Sequence, residues 1–357
     1  MSSKCLILIV WSVVILSCSM EKVHKSIIEK KNNKFETVKN NNVPKYNIDI
    51  IQLNKIVELK DVNLQFYDQN IIFYKDSIYL FDALSKKIKL FDASGRLINS
   101  FGQIGIGPGE YSLGISSLFF LNDTLCARPN GQLHTIMYNK EGKFYKNRVH
   151  NDQIVALYLS GKILKMGDKI LSIKDYMFSN EATVCLSMFD NNLDFKKLLY
   201  EKKIRVKARM DPTDYSMLAC TASSYNYYIA KTSDNEFSIN QYDYDNNMVR
   251  KIENNYKKVK LKLSDRLLYN LSKYNVKYLK AIQEMYTDKY ENLWVITSEA
   301  KQYGEFKIFS KEGIFLYDLK LNKMFKDSKK LISIFPKGDK IVAVFNDSSI
   351  IIYDYHI

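Results

Sequence analysis

Proline is scarce in this sequence, 5 residues in 357, so its turns must be built from Gly, Asn, Asp and Lys. Histidine is rarer still, with 4 residues. His24, His134, His150 and His356 stand in no HExxH or related spacing, which argues against a metal site made of imidazoles. No two cysteines form a CxxC pair, so zinc is not indicated by sulfur ligands either. There is no GxSxG nucleophile elbow. The run Gly105-Ile106-Gly107-Pro108-Gly109 lacks a following Lys-Ser/Thr and no helical pattern succeeds it. That excludes a phosphate-cradling loop and a dinucleotide-binding turn. These absences leave no cofactor to expect. Acidic residues are in deficit, 39 against 53 Lys and Arg, for a net charge of +14. The lysines are scattered among Asn, Asp and Glu, which reads as a solvated surface and not as a nucleic-acid site.

What is present begins at the N-terminus. Lys4 precedes an apolar run over residues 5–16, CLILIVWSVVIL. This is too short for an ordinary spanning helix and has the form of a signal peptide, residues 1–17. The run ends in Ile15-Leu16-Ser17-Cys18. That tetrapeptide resembles the lipobox of bacterial lipoproteins, in which the cysteine carries lipid and becomes the mature N-terminus. The resemblance implies lipidation at Cys18 and attachment to a membrane through an N-terminal lipid anchor. Export would leave Cys126, Cys185 and Cys220, an odd number for an oxidising compartment. They read as buried free thiols in strands. A single disulfide is the alternative, and no pattern chooses its pair. Residues 18–47 are Lys- and Asn-rich and read as a flexible tether.

From about residue 48 short β runs alternate with polar turns to the C-terminus, in a chain rich in Tyr (26) and Phe (19). A landmark recurs: an aromatic strand end, Asp or Asn, small polar residues, then a new apolar run. It appears at Phe91-Asp92, Tyr138-Asn139, Phe189-Asp190, Tyr244-Asp245, Phe309-Ser310 and, as a half-copy, Tyr353-Asp354. Repeats of roughly 40–50 residues with about four strands each are the signature of propeller blades. Six landmarks predict an all-β fold, a six-bladed β-propeller of four-stranded antiparallel blades over residues 48–357. In blade 1 the strands are placed at 70–74, 77–82, 86–91 and 96–101, and in blade 2 at 115–121, 123–128, 132–138 and 143–149. The others occupy about 160–201, 216–253, 279–320 and 330–354. The last holds only three strands, so the run at 48–60 is expected to supply the fourth and close the ring. Residues 257–278 carry Leu267, Leu268, Leu271 and Tyr274 at helical spacing behind Ser264. They predict one inserted helix.

The stretch 91–111, FDASGRLINSFGQIGIGPGEY, is the sharpest signature in the chain. It resembles the NHL-type repeat and, more closely, a family of six-bladed β-propeller lipoproteins of Gram-negative bacteria. The shared positions are Phe91, Asp92, Gly95, Phe101, Gly102, Gly105, Gly107, Pro108, Gly109, Glu110 and Tyr111. A second phrase of that family appears as Asp288, Asn292, Leu293, Trp294 and Val295. The resemblance implies the propeller and a place at the cell envelope, on the inner or outer membrane. It implies no catalytic residues.

Binding residues are sought in loops that meet one face of a ring. Arg205, Lys207, Arg209, Asp211, Asp214 and Tyr215 precede the fourth blade, Lys301, Gln302 and Tyr303 form a turn of the fifth, and Arg128 and Asn130 lie at a turn of the second. Arg, Asp and Tyr at loop tips suit an anionic, glycan or peptide ligand. The expected function is an envelope binding or scaffold module for a protein, peptide or glycan, with no nucleic-acid partner. The alternative is a metal-dependent hydrolase or lyase with an axial active site. Convergence of three or more carboxylate or Asn side chains on the channel would favour the enzyme. An axis lined by apolar and Lys side chains would count against it.

Overall fold

The computed structural model describes residues 25–31, 35–46, 52–64, 67–178, 181–205, 218–260, 278–300, 304–321, 325 and 331–356. Six four-stranded antiparallel arrays form a ring, each ordered from the axis outward. Blade 1 runs Ile71–Tyr74, Ser77–Asp82, Lys87–Asp92 and Leu97–Phe101. Blade 2 runs Ile115–Leu121, Thr124–Pro129, His134–Tyr138 and Phe144–Val149. Blades 3 to 5 span 162–205, 220–254 and 282–320. Blade 6 contributes Leu331–Lys337, Lys340–Phe345 and Ile350–His356, and its outer strand is Gln52–Leu59 from the other end of the chain. That strand pairs antiparallel from Ile350↔Leu59 to His356↔Gln52. The ring is therefore closed as the incomplete last repeat predicts.

The core lies between blades. One apolar cluster joins blades 1 and 2 through Phe81, Tyr111, Phe120 and Tyr138. Another joins blades 5, 6 and 1 around Trp294, with Val57 and Leu59 of the closing strand inside it. Strands succeed because their apolar side chains face both neighbouring blades, so most inner positions are apolar on both sides.

The recurring landmark is a side-chain-clamped turn between third and fourth strands. Asp92 Oδ1 accepts from the backbone N–H of Ser94 and Arg96, both at 3.0 Å. Asp190 does the same for Asn192 and Asp194, both at 2.9 Å. Ser310 substitutes a hydroxyl in blade 5. In each turn one residue takes positive φ: Gly95, Gly142, Leu193, Asn246 and Gly313. Asn and Gly tolerate this best. Two landmarks are corrected. In blade 4 the clamp is Asp243, bonded to the N–H of Asp245 and Asn247, and not Asp245. Asp354 lies within the strand Ile350–His356 and binds Lys340, because no fourth strand follows for it to turn into.

The residues read as a tether, 18–47, are also corrected where they are described. Ser26–Lys31 and Phe35–Asn40 form a hairpin. Its second strand lies parallel on Met248–Asn254, the outer strand of blade 4. Asn40 is the reason. Its Nδ2 donates to the carbonyls of Glu253 (3.2 Å) and Gly313 (3.0 Å), and its Oδ1 accepts from Phe315 N–H at 3.1 Å. Val38 is fully buried and Glu36 pairs with Arg250 at 2.9 Å. The chain then passes blade 5, where Lys45 and Tyr46 N–H donate to Phe315 and Leu316. It thus covers the outer edges of blades 4, 5 and 6 in turn.

The helix expected at 257–278 falls largely outside the described residues. A six-residue helix, Gln153–Tyr158, precedes blade 3. Cys126, Cys185 and Cys220 are buried free thiols.

Asn40→Ala removes four side-chain hydrogen bonds, the fourth from Ser26 Oγ, and leaves buried backbone groups unpaired. It should lower stability by about 2 kcal/mol and raise amide exchange across residues 35–40 and 250–254. Unchanged exchange in both strands would refute the anchoring role.

Candidate functional site

Two faces follow from strand order. Turns after the first and third strands of each blade open on one face, the turn face. Turns after the second strand and the crossings to the next blade open on the other, the crossing face. First strands touch one another around the axis.

The short turn Tyr67–Gln69 lies at the channel just before blade 1. It is held by three other blades. Gln69 Oε1 accepts from Ile163 N–H at 2.8 Å, Asn70 Nδ2 donates to the Ile115 carbonyl at 3.1 Å, and Lys337 Nζ donates to the Asp68 carbonyl. Asp68 faces Lys162 at 2.9 Å, and Lys162 lies 3.8 Å from Glu284 and over the Tyr286 ring. Tyr286 in turn stacks on Phe335.

The axis is thus a charge network with partial burial. Burial works against the ionised form of Asp68, but Lys162, Lys337 and its hydrogen bonds outweigh it and hold the carboxyl below its usual range. For Lys162 burial is likewise overcome by Asp68 and Glu284, and its pKa is raised. Lys337 goes the other way, because burial and Lys162 exceed the attraction of Asp68. Burial pushes Glu284 up. Burial also pushes Lys280 down to about 8 against the pull of Glu284.

Below this network the channel widens into a cavity of about 370 Å³ at the turn face. Its lining includes Lys162, Lys165, Lys289 and Lys337 against Asp68 and Asp288, with the hydroxyls of Thr221, Ser223, Ser224 and Thr287. Asp288 is already spent. It accepts from the N–H of Tyr290 and Asn292 and from Trp294 Nε1 at 2.9 Å. The phrase Asp288-x-x-x-Asn292-Leu293-Trp294 is therefore a structural clamp between turn and core. Tyr225 and Tyr290 are exposed in the turns that carry Ser224 and Lys289. The cavity thus combines cations and hydroxyls, and two solvent-exposed rings lie in the turns beside it.

Among the described residues, no group of three or more His, Cys, Asp or Glu side chains could hold a metal ion. Asp68 and Glu284 are the axial carboxylates, and both are turned to Lys162. A second cavity, of about 370 Å³, lies at the crossing end of blade 5. Its Glu299 and Asp318 pair with the nearly buried Lys307 at 3.4 and 3.6 Å.

The residues singled out from sequence do not assemble here. Arg128 is a correction. It lies in the strand Thr124–Pro129, fully buried, and donates to the carbonyls of Leu159 (3.2 Å), Ala156 (2.8 Å) and His134. Two of those carbonyls close the helix Gln153–Tyr158, where a cation complements the helix dipole. Arg205 ends the outer strand of blade 3, paired with Glu181, and does not begin a loop. Arg209, Asp211, Asp214, Tyr215, Gln302, Tyr303 and Cys18 lie outside the described residues. Asp68, Lys162, Glu284, Lys280 and Lys337 were missed. The available signal was a lysine at the start or end of an otherwise apolar first strand, as in KILKM and LISIFPK.

The chain matches no protein-family model and no curated protein sequence. Among solved structures it is similar to a Bacteroides fragilis chain named as an exported protein, with 17% identity and a TM-score of 0.51 over 90% of this chain and 99% of that one. Likeness to virginiamycin B lyase of Staphylococcus aureus is weaker, 12% identity and a TM-score of 0.45 over 85% and 99%. BamB of Moraxella catarrhalis follows at 11% and 0.32, over 80% and 71%. At these identities the likeness is one of fold alone.

Lys280 gives a pH test. Its folded pKa of about 8 lies below the ordinary 10.5. Between these values the unfolded chain binds more protons, so its contribution to stability rises with pH through that window. Lys280→Met should be more stable than wild type near neutral pH, by up to about 2 kcal/mol. The difference should shrink as pH approaches 10.5. Paired thermal unfolding curves measure it, and a gap that stays constant with pH would contradict the burial of a charged lysine.

Proposed function

We propose that the chain is a lipid-anchored binding module of the cell envelope that takes an acidic glycan at the turn-face mouth of its channel. The observation that carries the reading is one cavity lined by four lysines and four hydroxyl side chains, with exposed Tyr225 and Tyr290 next in sequence to its lining residues Ser224 and Lys289. A pyranose presents an apolar face that a tyrosine ring covers, and hydroxyls that Ser and Thr can bond. Carboxylate or sulfate groups on the sugar would meet Lys165 and Lys289, the second of which also lies over the Tyr290 ring and 3.5 Å from Asp339. The deeper lysines are neutralised in part by Asp68, so they set the field at the base without repelling the fold apart.

Anchoring at Cys18 is inferred from the apolar run and the tetrapeptide that ends it. A protein of like fold that is named as exported is in keeping with this location. A metal-dependent hydrolase or lyase is not favoured, because the two axial carboxylates share one lysine and no third joins them among the described residues.

Binding is tested with uronic-acid and sulfated oligosaccharides beside neutral counterparts. Acidic sugars should bind and lose affinity as salt rises. Tyr225→Ala and Lys165→Ala should each weaken binding about fivefold to tenfold, near 1 kcal/mol. Equal binding of neutral sugars, or variants that bind like wild type, would refute the site. Separately, Cys18→Ala should move the protein out of the membrane fraction, and unchanged sedimentation would refute the anchor.

A further inference from the structure

Blade 5 carries a second concave site, apart from the axis, whose charges the fold leaves unsatisfied. Its third and fourth strands are Glu305–Phe309 and Phe315–Lys320. They run antiparallel, with Glu305 opposite Lys320 and Lys307 opposite Asp318. Side chains two apart in a strand share a face. The four charges therefore form a square in which each neighbour, along a strand or across it, has the opposite sign. All four line the cavity of about 370 Å³ beside this blade. Glu299, from the turn after the second strand, brings a third carboxylate to it.

Ion pairs that serve only the sheet close to a charge-assisted hydrogen bond of about 2.8 Å. These do not close. Lys307 Nζ lies 3.4 Å from Glu299 and 3.6 Å from Asp318, and it donates a hydrogen bond to neither. Its side chain is only 9% exposed. An ammonium has three donors and no acceptor, and a buried donor without a partner is costly. Among the described residues Lys320 makes no ion pair with the Glu305 opposite it and no hydrogen bond, and Asp318 has no partner besides Lys307. Two cations and a carboxylate thus keep bonding capacity toward one cavity.

The rest of the wall is held in place. Glu299 Oε1 accepts from Lys257 N–H at 2.9 Å. Asn42 exchanges hydrogen bonds with the Asn254 side chain at 2.8 and 2.9 Å. Ala300 N–H donates to the Thr297 carbonyl at 3.1 Å. Asn42, Thr297 and Ala300 all line the cavity. A site whose walls are already fixed loses little to reorganisation when it binds.

The arrangement of charge selects the ligand. A simple anion drawn to Lys307 and Lys320 meets three carboxylates, and a simple cation drawn to the carboxylates meets two lysines. A dipolar ion sets each of its ends against corners of the opposite sign. Among the described residues these carboxylates do not gather into a group that could hold a metal ion. We infer that the cavity binds a zwitterion of amino-acid or dipeptide size, its carboxylate on Lys307 and Lys320 and its ammonium on Asp318 and Glu299. The volume lies at the small end of the range for ligand pockets, which suits so small a molecule. The site is separate from the axial one, since the two cavities share no lining residue.

The test titrates the common free amino acids and alanyl-alanine into the full chain by calorimetry. Each compound that binds is compared with its N-acetylated form, which lacks the ammonium, and its C-terminal amide, which lacks the carboxylate. At least one zwitterion should bind saturably, and blocking either end should weaken it about tenfold or more. Lys320→Gln and Asp318→Asn should each weaken it about fivefold to tenfold, and Lys307→Met should abolish it. Lys320 is the less buried of the two lysines, so its variant carries the test if Lys307→Met does not fold. Amide resonances of Thr297 and Ala300 should move on binding, while those of Thr221 and Thr287 in the axial cavity stay in place. Equal binding of an end-blocked form would overturn the inference in favour of a plain anion or cation site. Shifts confined to the axial cavity, or no saturable binding by any compound of the set, would overturn it outright.

Discussion

A ring of separate sheets has one weak joint, and here everything depends on how that joint is made. Blade 6 receives its outer strand, Gln52–Leu59, from the far end of the chain. Without it, the strand Ile350–His356 would present an open edge and the cluster around Trp294 would lose Val57 and Leu59. The segment before it continues the same solution outward. Its hairpin covers blade 4, and Lys45 and Tyr46 bond the edge of blade 5. One contiguous N-terminal stretch thus satisfies edge groups on half of the ring. The buried Asn40, with bonds to blades 4 and 5, pins where that stretch may sit.

The axis solves a different problem, that of holding lysines together in a confined channel. Lys162 and Lys337 both turn to Asp68, one to its carboxylate and the other to its carbonyl. Mutual repulsion of the lysines and their loss of water are offset at that one residue. The residual cost shows in the depressed Lys337 and Lys280. Asp68 and its neighbours Gln69 and Asn70 also tie blade 1 to blades 2, 3 and 6. The same three residues therefore brace the ring and set the potential of the cavity.

Much of this architecture is legible in the sequence. The first two blades fall within about two residues of their predicted strands, because their turns carry a Gly at the position that needs positive φ. Closure was readable from the missing fourth strand. The blade 4 clamp is displaced by two residues because Tyr242-Asp243 and Tyr244-Asp245 both show an aromatic residue followed by Asp. The hairpin on blade 4 escaped because Phe35–Asn40 buries Thr37, Val38 and Asn40, too little apolar alternation to mark a strand. The helix Gln153–Tyr158 is too short to show a period. Arg128 was misplaced because Pro129, Asn130 and Gly131 follow it, and a residue beside a turn looks solvated whether or not it is. Axial lysines look like surface lysines in one dimension. Only the assembly of first strands around the channel makes them neighbours.

The closing strand also imposes an order in time. Gln52 and His356 are partners across about 300 residues of sequence. During synthesis the strand Gln52–Leu59 is made early, yet its partner is the last strand to appear. It cannot pair with that strand until the residues of the other five blades have been made. Contacts of such long sequence separation slow folding, since loop-closure entropy is lost before they form. The charged residues Lys55, Glu58 and Lys60 in and beside that strand keep it soluble in the interval. The last event in building the ring is the capture of one of the first segments made.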